Sequence, residues 1–265
     1  MPLTHNRSLR VRHYECGPDG LVRAANYLRY MQEAAFDASA AAGYDMARYE
    51  AMGCHWLIHE TVIEYHRTLR YGEAVEIKTW VADFRRVRSR RAYEFRLPAE
   101  HARPAGRGPL VARAHTDWVF LDTDTLRPAT IPDEMRDAFF PEGPPATAPP
   151  RDRFPDVEPP AGAFCQRRRV ERRDLDPAGH VNNCVYVDYV QECGRLWTAA
   201  GGHEPAGLPL PRQCRIEYRL PALPDDELEL VTWLEDDSGT LPVRYTFIRR
   251  PADGALVARA RLVEG

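Results

Sequence analysis

An apolar stripe between residues 184 and 197 is the strongest hydrophobic pattern in the chain. Its members recur at positions i, i+3, i+4, i+7 and i+11, as side chains on one face of an α-helix do: Tyr186, Tyr189, Val190, Cys193 and Trp197. Pro177 and Gly179 precede the stripe and favour a turn, which ends any helix before them. The pattern therefore predicts a loop that leads into a long helix, and a helix with this much apolar surface needs burial on several sides.

Polar and apolar residues alternate in several other segments, which is the pattern of half-buried β-strands. Residues 74–81 and 91–96 follow it, and residues 111–121 form a longer strand candidate that ends at Asp122. One long helix beside a run of antiparallel strands is an α+β layer arrangement. We expect the sheet to curl around the helix, because a flat sheet would cover only one side of it.

The same succession of patterns occurs twice along the chain, which indicates an internal repeat. Residues 20–33 match residues 179–192 without a gap, and the two segments share two tyrosines, a glutamine and a glutamate at equivalent positions. Further matches follow in the same order: residues 63–65 with 216–218, 76–81 with 229–234, and 110–114 with 256–260. We therefore predict two copies of one helix-plus-sheet unit.

A proline-rich segment separates the two copies. It spans residues 143–162 and has the composition of an extended surface linker. We assign residues 1–142 to an N-terminal domain and residues 163–265 to a C-terminal domain, with residues 143–162 as the linker.

Composition excludes several classes of protein. The formal net charge is −3 and no nucleic-acid motif is present, so nucleic-acid binding is not expected. No apolar run approaches the ~20 residues of a membrane span, and the first residues lack the apolar core of a signal peptide. The six cysteines contain no CxxC pair, which predicts reduced thiols and no metal site. We expect a cytoplasmic protein without a cofactor.

Asp176 and His180 are the candidate catalytic residues, because a carboxylate and an imidazole lie four positions apart around the predicted turn. Asp176 by itself also suits a helix cap or an Asx turn, and a lone histidine is a weak signal. In the first copy of the repeat, Gly17 and Leu21 stand at the equivalent positions. The sequence therefore predicts one reactive site, in the second copy.

The tandem repeat and the motif Asp-x-x-Gly-His-Val-Asn-Asn at residues 176–183 resemble the acyl-ACP thioesterase family, in a bacterial form without a transit peptide. Further similar stretches are residues 14–19, Trp56, residues 72–81 and residues 216–219. The resemblance implies a tandem (double) hotdog fold, in which each long helix is wrapped by an antiparallel sheet. It also implies an acyl-chain pocket in the N-terminal domain and hydrolysis of an acyl-ACP or acyl-CoA thioester to a free acid and the carrier thiol, within fatty acid biosynthesis.

Two polar groups of the family's catalytic set are absent from this chain. That set comprises an aspartate, an asparagine and a histidine in the motif, together with a downstream acidic residue. Asp176 and His180 match it, whereas Ala178 stands at the asparagine position and Pro221 and Ala222 at the downstream positions. Single-hotdog acyl-CoA thioesterases share the motif and depend mainly on the aspartate, so this chain can follow that simpler design.

Thioester hydrolysis needs a nucleophile and donors for the developing oxyanion. Asp176 can activate water as a general base or attack the carbonyl carbon directly. His180 can orient the water, hydrogen-bond Asp176 or protonate the leaving thiolate; the orienting role ranks first, because a thiolate leaves readily. Backbone N–H groups at the helix start, around His180 and Val181, are the expected oxyanion donors. We assign Val181 and Asn182 to oxyanion binding or to positioning of the backbone, and for Asn182 the second role is favoured.

Two arginine clusters suggest a surface for the carrier. The first comprises Arg85, Arg86, Arg88, Arg90 and Arg91, and the second lies within residues 167–173. ACP is acidic and CoA carries phosphates, so we predict that the first cluster binds the carrier; a solvated charged turn is the plain alternative.

Two other functions stay open. One is a non-catalytic acyl-binding hotdog. The other, less favoured, is an enoyl-thioester hydratase, whose motif has a wider gap between its aspartate and histidine. Because the tandem repeat supplies a hotdog pair within one chain, a monomer and a homodimer are both compatible with the sequence.

Overall fold

The computed structural model describes residues 1–101, 108–202, 210–235 and 241–264. The chain divides into two compact units, Met1–Arg23 with Tyr27–Asp152 and Arg153–Gly265 with Ala24–Asn26.

In its described residues, the first unit has an antiparallel sheet, one long α-helix and two short α-helices. Hydrogen bonding orders its strands β1-β3-β4-β5-β2. The elements are β1 (Thr4–Arg10), α1 (Ala24–Ala41), α2 (Met46–Ala51), β2 (Cys54–Tyr65), β3 (Ala74–Phe84), β4 (Arg88–Arg96), β5 (Leu110–Asp122) and α3 (Asp133–Phe139).

The second unit repeats this topology without the short helices among the residues that are described. Its strand order is β6-β8-β9-β10-β7, which matches the order in the first unit strand for strand. The elements are β6 (Phe164–Arg169), α4 (Asn183–Ala199), β7 (Gln213–Tyr218), β8 (Glu227–Glu235), β9 (Val243–Arg250) and β10 (Ala255–Val263). The α+β repeat predicted from the sequence is confirmed.

The two hydrophobic periods account for these elements. Along β3 every second side chain is buried, from Val75 to Val81, so one face of the strand packs inward and the other stays partly open. Along α4 the predicted stripe is buried at Tyr186, Tyr189, Val190 and Cys193, none more than 3% exposed. These side chains form the face that the unit needs to cover.

The short helices α2 and α3 are absent from the sequence prediction, because six and seven residues are too few to establish a helical period. Asp45 caps α2, its side chain accepting a hydrogen bond from the Arg48 N–H at 2.9 Å. Both helices contribute to an aromatic cluster of the first unit, which includes Tyr44, Tyr49, Trp56, Phe120 and Phe139.

All six cysteines are free thiols. Within the described ranges, every helix is too short or too polar to cross a lipid bilayer.

Candidate active site

Asp176 begins a tight turn that brings the chain to the start of α4. Its side-chain Oδ1 accepts a hydrogen bond from the Ala178 N–H at 2.9 Å, which is an Asx turn. Its backbone carbonyl accepts from the Gly179 N–H at 2.9 Å, and its own N–H donates to the His180 carbonyl at 3.0 Å. Gly179 has φ of +81°, a conformation that glycine adopts without strain. The residues Asp, Pro and Gly therefore fix this loop locally.

The turn places the His180 ring beside the Asp176 carboxylate. His180 Nδ1 lies 3.6 Å from Asp176 Oδ2, and the two side chains are 20% and 15% exposed. Nδ1 also lies 3.3 Å from the Val181 carbonyl oxygen. Because Oδ1 is engaged by Ala178 and Oδ2 accepts no hydrogen bond from the described residues, Oδ2 is the oxygen available to a water molecule. The structure thus brings together the two residues singled out as catalytic.

Of the two roles assigned to Val181 and Asn182, the contacts contradict oxyanion binding by their backbone amides and agree with backbone positioning. The Val181 N–H donates to the Ala222 carbonyl at 3.0 Å, and the Asn182 N–H donates to the Asp174 carbonyl at 2.9 Å. An amide already bonded inside the protein is not available to a substrate oxygen. Asn182 instead caps α4, its Oδ1 accepting from the Cys184 N–H at 3.0 Å.

Both amide contacts recur in the first unit, where Gly17 and Leu21 stand in place of the Asp176–His180 dyad. There the Val22 N–H donates to the Leu69 carbonyl at 2.9 Å and the Arg23 N–H donates to the Glu15 carbonyl at 3.2 Å. The carboxylate of Glu15 and that of Asp174 each accept from a buried tyrosine, at 2.6 and 2.7 Å respectively. These bonds are therefore part of the shared scaffold, and the dyad is the difference between the two loops.

Two other amides at the start of α4 remain without a partner among the described residues. They belong to His180 and to Asn183, the first residue of the helix. In the first unit the N–H of Leu21, the equivalent of His180, donates to Asp19 Oδ1 at 3.0 Å. The second unit lacks that bond because alanine occupies the position of Asp19. Unpaired N–H groups at a helix start are suited to a developing negative charge.

Tyr186 lies beneath the loop and was not singled out as a site residue. Its hydroxyl accepts from the Ala222 N–H at 3.1 Å. Burial, together with the negative charges of Asp226 and Asp176, raises the pKa of Tyr186 to about 12, so the phenol stays protonated. Tyr27, its counterpart in the repeat, accepts from the Leu69 N–H at 2.8 Å. The two tyrosines occupy equivalent positions in the repeat, and this match could have identified them from the sequence. Their shared role is structural, because each hydroxyl fixes a loop backbone N–H.

Ala178 and Ala222 bring no polar side chain to the site. The Ala178 N–H donates to Asp176 Oδ1. The Ala222 carbonyl accepts from the Val181 N–H, and the Ala222 N–H donates to the Tyr186 hydroxyl. The loop around Ala222 is fixed by Arg250, whose Nη1 donates to the Pro221 carbonyl at 3.4 Å and to Asp226 at 3.0 Å. At these positions the chain therefore contributes backbone contacts and no polar side chain, and the contacts of Ala222 match those of Leu69 in the first unit.

The first arginine cluster does not form a single exposed surface, and its prediction as a carrier site is wrong for two of its five members. Arg90 is 7% exposed and Arg91 is 5% exposed. Arg90 donates two hydrogen bonds to the Asp117 carboxylate, from Nε at 2.6 Å and from Nη2 at 2.7 Å. Arg85, Arg86 and Arg88 are exposed. Adjacent positions on β4 point to opposite faces, and both faces are covered at this point.

Comparisons with known proteins agree with this architecture. A model of the acyl-ACP thioesterase N-terminal domain matches residues 2–139, and one of the thioesterase-like superfamily matches residues 170–263. The chloroplastic palmitoyl-acyl carrier protein thioesterase of Cuphea hookeriana is 23% identical over 274 residues, an alignment that covers 98% of this chain and 61% of that protein. The chain thus spans less than two thirds of the length of this relative.

Two solved structures show the same fold across nearly the whole chain. One, described as an oleoyl thioesterase from Lactobacillus plantarum, has a TM-score of 0.83 at 18% identity and covers 98% of this chain and 95% of its own. The other, the 12:0-ACP thioesterase of Umbellularia californica, has a TM-score of 0.76 at 22% identity, with 98% and 96% covered. The fold is a double hotdog, and with its N-terminal half matched by the family model the chain belongs to the acyl-ACP thioesterase family.

Proposed function

We propose that this chain is a thioester hydrolase that cleaves acyl-ACP, or acyl-CoA, to a free carboxylic acid and the carrier thiol. The observation that carries the proposal is the open Oδ2 of Asp176, 3.6 Å from His180 Nδ1, at the start of the second long helix. The family of the chain supports the choice of a thioester as substrate.

In the mechanism we propose, Asp176 Oδ2 acts on the thioester carbonyl in one of two ways. As a general base it removes a proton from water, whose oxygen then attacks the carbonyl carbon. As a nucleophile it attacks the carbon itself, and water then cleaves the resulting anhydride. In both routes the carbon–sulfur bond breaks, the thiolate leaves, and it takes up the proton released from water.

For oxyanion stabilisation, in place of the N–H groups of Val181 and Asn182, we keep the N–H group of His180 and add that of Asn183. They are the amides at this helix start that donate to no described residue, and they lie on either side of the two amides committed to the scaffold. One preorganised donor of this kind is worth about 3–4 kcal/mol of transition-state stabilisation in other enzymes.

Replacing His180 by glutamine should lower kcat about 10²-fold and change KM little, because the ring orients the water and does not bind the acyl chain. Hydrolysis followed by release of free thiol gives both constants. The exposed His66 provides a matched control, and His66→Gln should leave both constants unchanged. Equal kcat values for His180→Gln and the unaltered protein would exclude the orienting role.

The proposal is tested by a panel of acyl-CoAs and acyl-ACPs of medium and long chain, with free thiol as the readout. Cleavage of at least one series supports it, and the ratio of kcat/KM values for ACP and CoA identifies the carrier. Binding of the acyl chain without thiol release would favour the non-catalytic acyl-binding alternative. Hydration of an enoyl-CoA without thiol release would favour the hydratase.

Several features remain proposals that accompany this function. We place the protein in the cytoplasm, where the six free thiols stay reduced, and we leave monomer and homodimer open. For the carrier we retain the exposed arginines of the first cluster, Arg85, Arg86 and Arg88. The acyl-chain pocket stays assigned to the N-terminal domain, residues 1–142, and the reaction to residues 163–265, with residues 143–162 as the linker.

A further inference from the structure

Arg250, the last residue of β9, joins that strand to the loop between β7 and β8. Its Nη1 donates to the Pro221 carbonyl at 3.4 Å and to Asp226 Oδ2 at 3.0 Å. Its Nε and Nη2 donate to Asp253 Oδ2 at 3.1 and 2.8 Å. Asp253 lies in the turn after β9 and accepts the Ala255 N–H at 3.1 Å. The guanidinium is therefore held by its own β-hairpin and in turn holds the loop.

The loop held by Arg250 carries the contact on which the start of α4 depends. Asp226 Oδ2 also accepts the Leu223 N–H at 2.9 Å, so the carboxylate closes the loop on itself. Ala222 lies within this closed loop, and its carbonyl accepts the Val181 N–H at 3.0 Å. Val181 follows His180 directly in the chain. A displacement of the loop would therefore shift the backbone of the turn that bears the dyad.

The same charges lie close to the proposed catalytic carboxylate, as the surroundings of Tyr186 show. Burial has the largest effect on the pKa of Tyr186 and raises it. The charges of Asp226 and Asp176 raise this pKa further, and the charge of Arg250 lowers it. One phenol therefore senses the loop acid, the arginine and the proposed base. It follows that Arg250 offsets the negative charge that Asp226 adds near Asp176.

The first unit holds its equivalent loop with an acid at the same place. Glu73 accepts the Arg70 N–H at 2.7 Å, as Asp226 accepts the N–H of the equivalent Leu223. The cation that pairs with Glu73 is Arg67, which belongs to the loop itself and is 40% exposed. Because this arginine moves with its loop, it compensates the charge of the acid without tying the loop to the sheet.

In the second unit the cation comes from the sheet. Leu220 occupies the position of Arg67, and Arg250 occupies the position of Leu97, as the register of the strands shows. The Arg250 side chain is 18% exposed. Within the described ranges it is the one cation that pairs with Asp226. The copy of the repeat that bears the dyad is thus the copy whose loop is tied to a strand.

We propose that Arg250 is a positioning residue of the reaction, which fixes the loop around Ala222 and thereby the turn with Asp176 and His180. It acts through the Pro221 carbonyl and Asp226, not by contact with the thioester. The inference rests on the proposed hydrolase function, since it assigns a part in that reaction. Removal of the guanidinium should therefore loosen the turn and lower kcat.

Arg250→Leu should lower kcat about 10²-fold and change KM little, because a small displacement of reacting groups affects rate more than binding. The measurement uses the acyl thioester that the unaltered protein cleaves fastest, so a failure of the hydrolase function is seen before any variant is compared. Arg67→Leu removes the equivalent cation of the first unit and is the matched control, which should keep both constants. An unchanged kcat in Arg250→Leu would overturn the proposal.

A double variant separates positioning from charge compensation. Arg250→Leu combined with Leu220→Arg gives the second unit the arrangement of the first, with the cation on the loop. It should recover the melting temperature that Arg250→Leu alone loses, because Asp226 again has a counterion, while kcat should stay low. Recovery of kcat together with the melting temperature would show that Arg250 is only a counterion, and the positioning role would be wrong.

Hydrogen exchange followed by mass spectrometry tests the positioning without a thioester. Arg250→Lys keeps the charge beside Asp226 but lacks the planar fork that reaches two partners at once. Residues 176–187 should exchange their backbone hydrogens faster in this variant, and the equivalent residues 17–28 should not. Faster exchange supports the link to the turn even if no thioester is cleaved, an outcome that would count against the hydrolase function alone. Unchanged exchange in residues 176–187 would overturn the inference.

Discussion

Asp176→Asn should lower kcat/KM for thioester hydrolysis about 10²- to 10⁴-fold, the range that a positioned general base contributes. Asparagine keeps the Oδ1 that accepts the Ala178 N–H, so the turn should persist. What is lost is the charge and basicity of Oδ2, the oxygen that faces His180. Steady-state release of free thiol measures the effect, and circular dichroism verifies the fold.

Asp19→Asn is the matched control, because Asp19 lies in the equivalent loop of the first unit and accepts the Leu21 N–H through Oδ1. It should retain full activity. If Asp176→Asn cleaved thioesters as fast as the unaltered protein, the catalytic role of this carboxylate would be ruled out. A loss of activity in both variants would point instead to a general sensitivity of these loops.

Asp117→Asn should destabilise the protein by about 3–5 kcal/mol, the usual effect of breaking a buried ion pair from one side. Asp117 holds Arg90 in a two-bond fork and lies 3.3 Å from Arg151 Nε. Arg151 in turn binds Asp83 at 2.5 and 2.6 Å. The substitution leaves Arg90 buried without its counterion. The midpoint of urea unfolding, with an unchanged slope, gives the free energy.

Asp133→Asn serves as the control for this measurement, since the Asp133 side chain is 99% exposed and lies 3.7 Å from Arg136. A surface pair of this kind should contribute less than about 0.5 kcal/mol. A loss at Asp117 no larger than the loss at Asp133 would show that the network adds nothing to stability.

The same pair predicts a dependence of stability on pH. Burial by itself would raise the pKa of Asp117, but the hydrogen bonds and charge of Arg90 and the charge of Arg151 outweigh it, and the pKa is lowered. The stabilisation is therefore present above the unfolded-state pKa of about 4 and is lost as the pH falls through the lower folded-state value. Asp117→Asn should remove this part of the acid sensitivity.

The fold and the dyad could be predicted because local sequence encodes them. Pro177 and Gly179 define the turn, and the spacing of apolar residues defines α4 on its own. Asp176 and His180 then follow at fixed positions on a short loop, so their approach needs no distant contact. Comparison of the two copies of the repeat showed that the carboxylate and the imidazole occur together in the second loop and not in the first.

The amides and the arginines could not be assigned in this way, because distant residues determine their state. The Val181 N–H is occupied by Ala222, more than forty positions downstream. Arg90 is buried by Asp117 and by the Pro150 carbonyl, which accepts from its Nη1 at 2.6 Å. From the sequence, a run of arginines is expected to be exposed to solvent. Which of them are buried depends on the neighbouring strands that cover them.

The ion pairs of Arg151 determine where the chain can be divided into two fragments that each keep their contacts. Arg151 belongs to the proline-rich segment but supplies the second cation for Asp83 and Asp117. A polypeptide ending at residue 142 would retain both acids with Arg90 and without Arg151. Three residues later, Phe154 packs against Tyr245 at 6.4 Å between ring centroids. Complementing fragments should therefore be divided between Asp152 and Arg153. The first fragment then keeps Arg151 with Asp83 and Asp117, and the second keeps Phe154 with Tyr245.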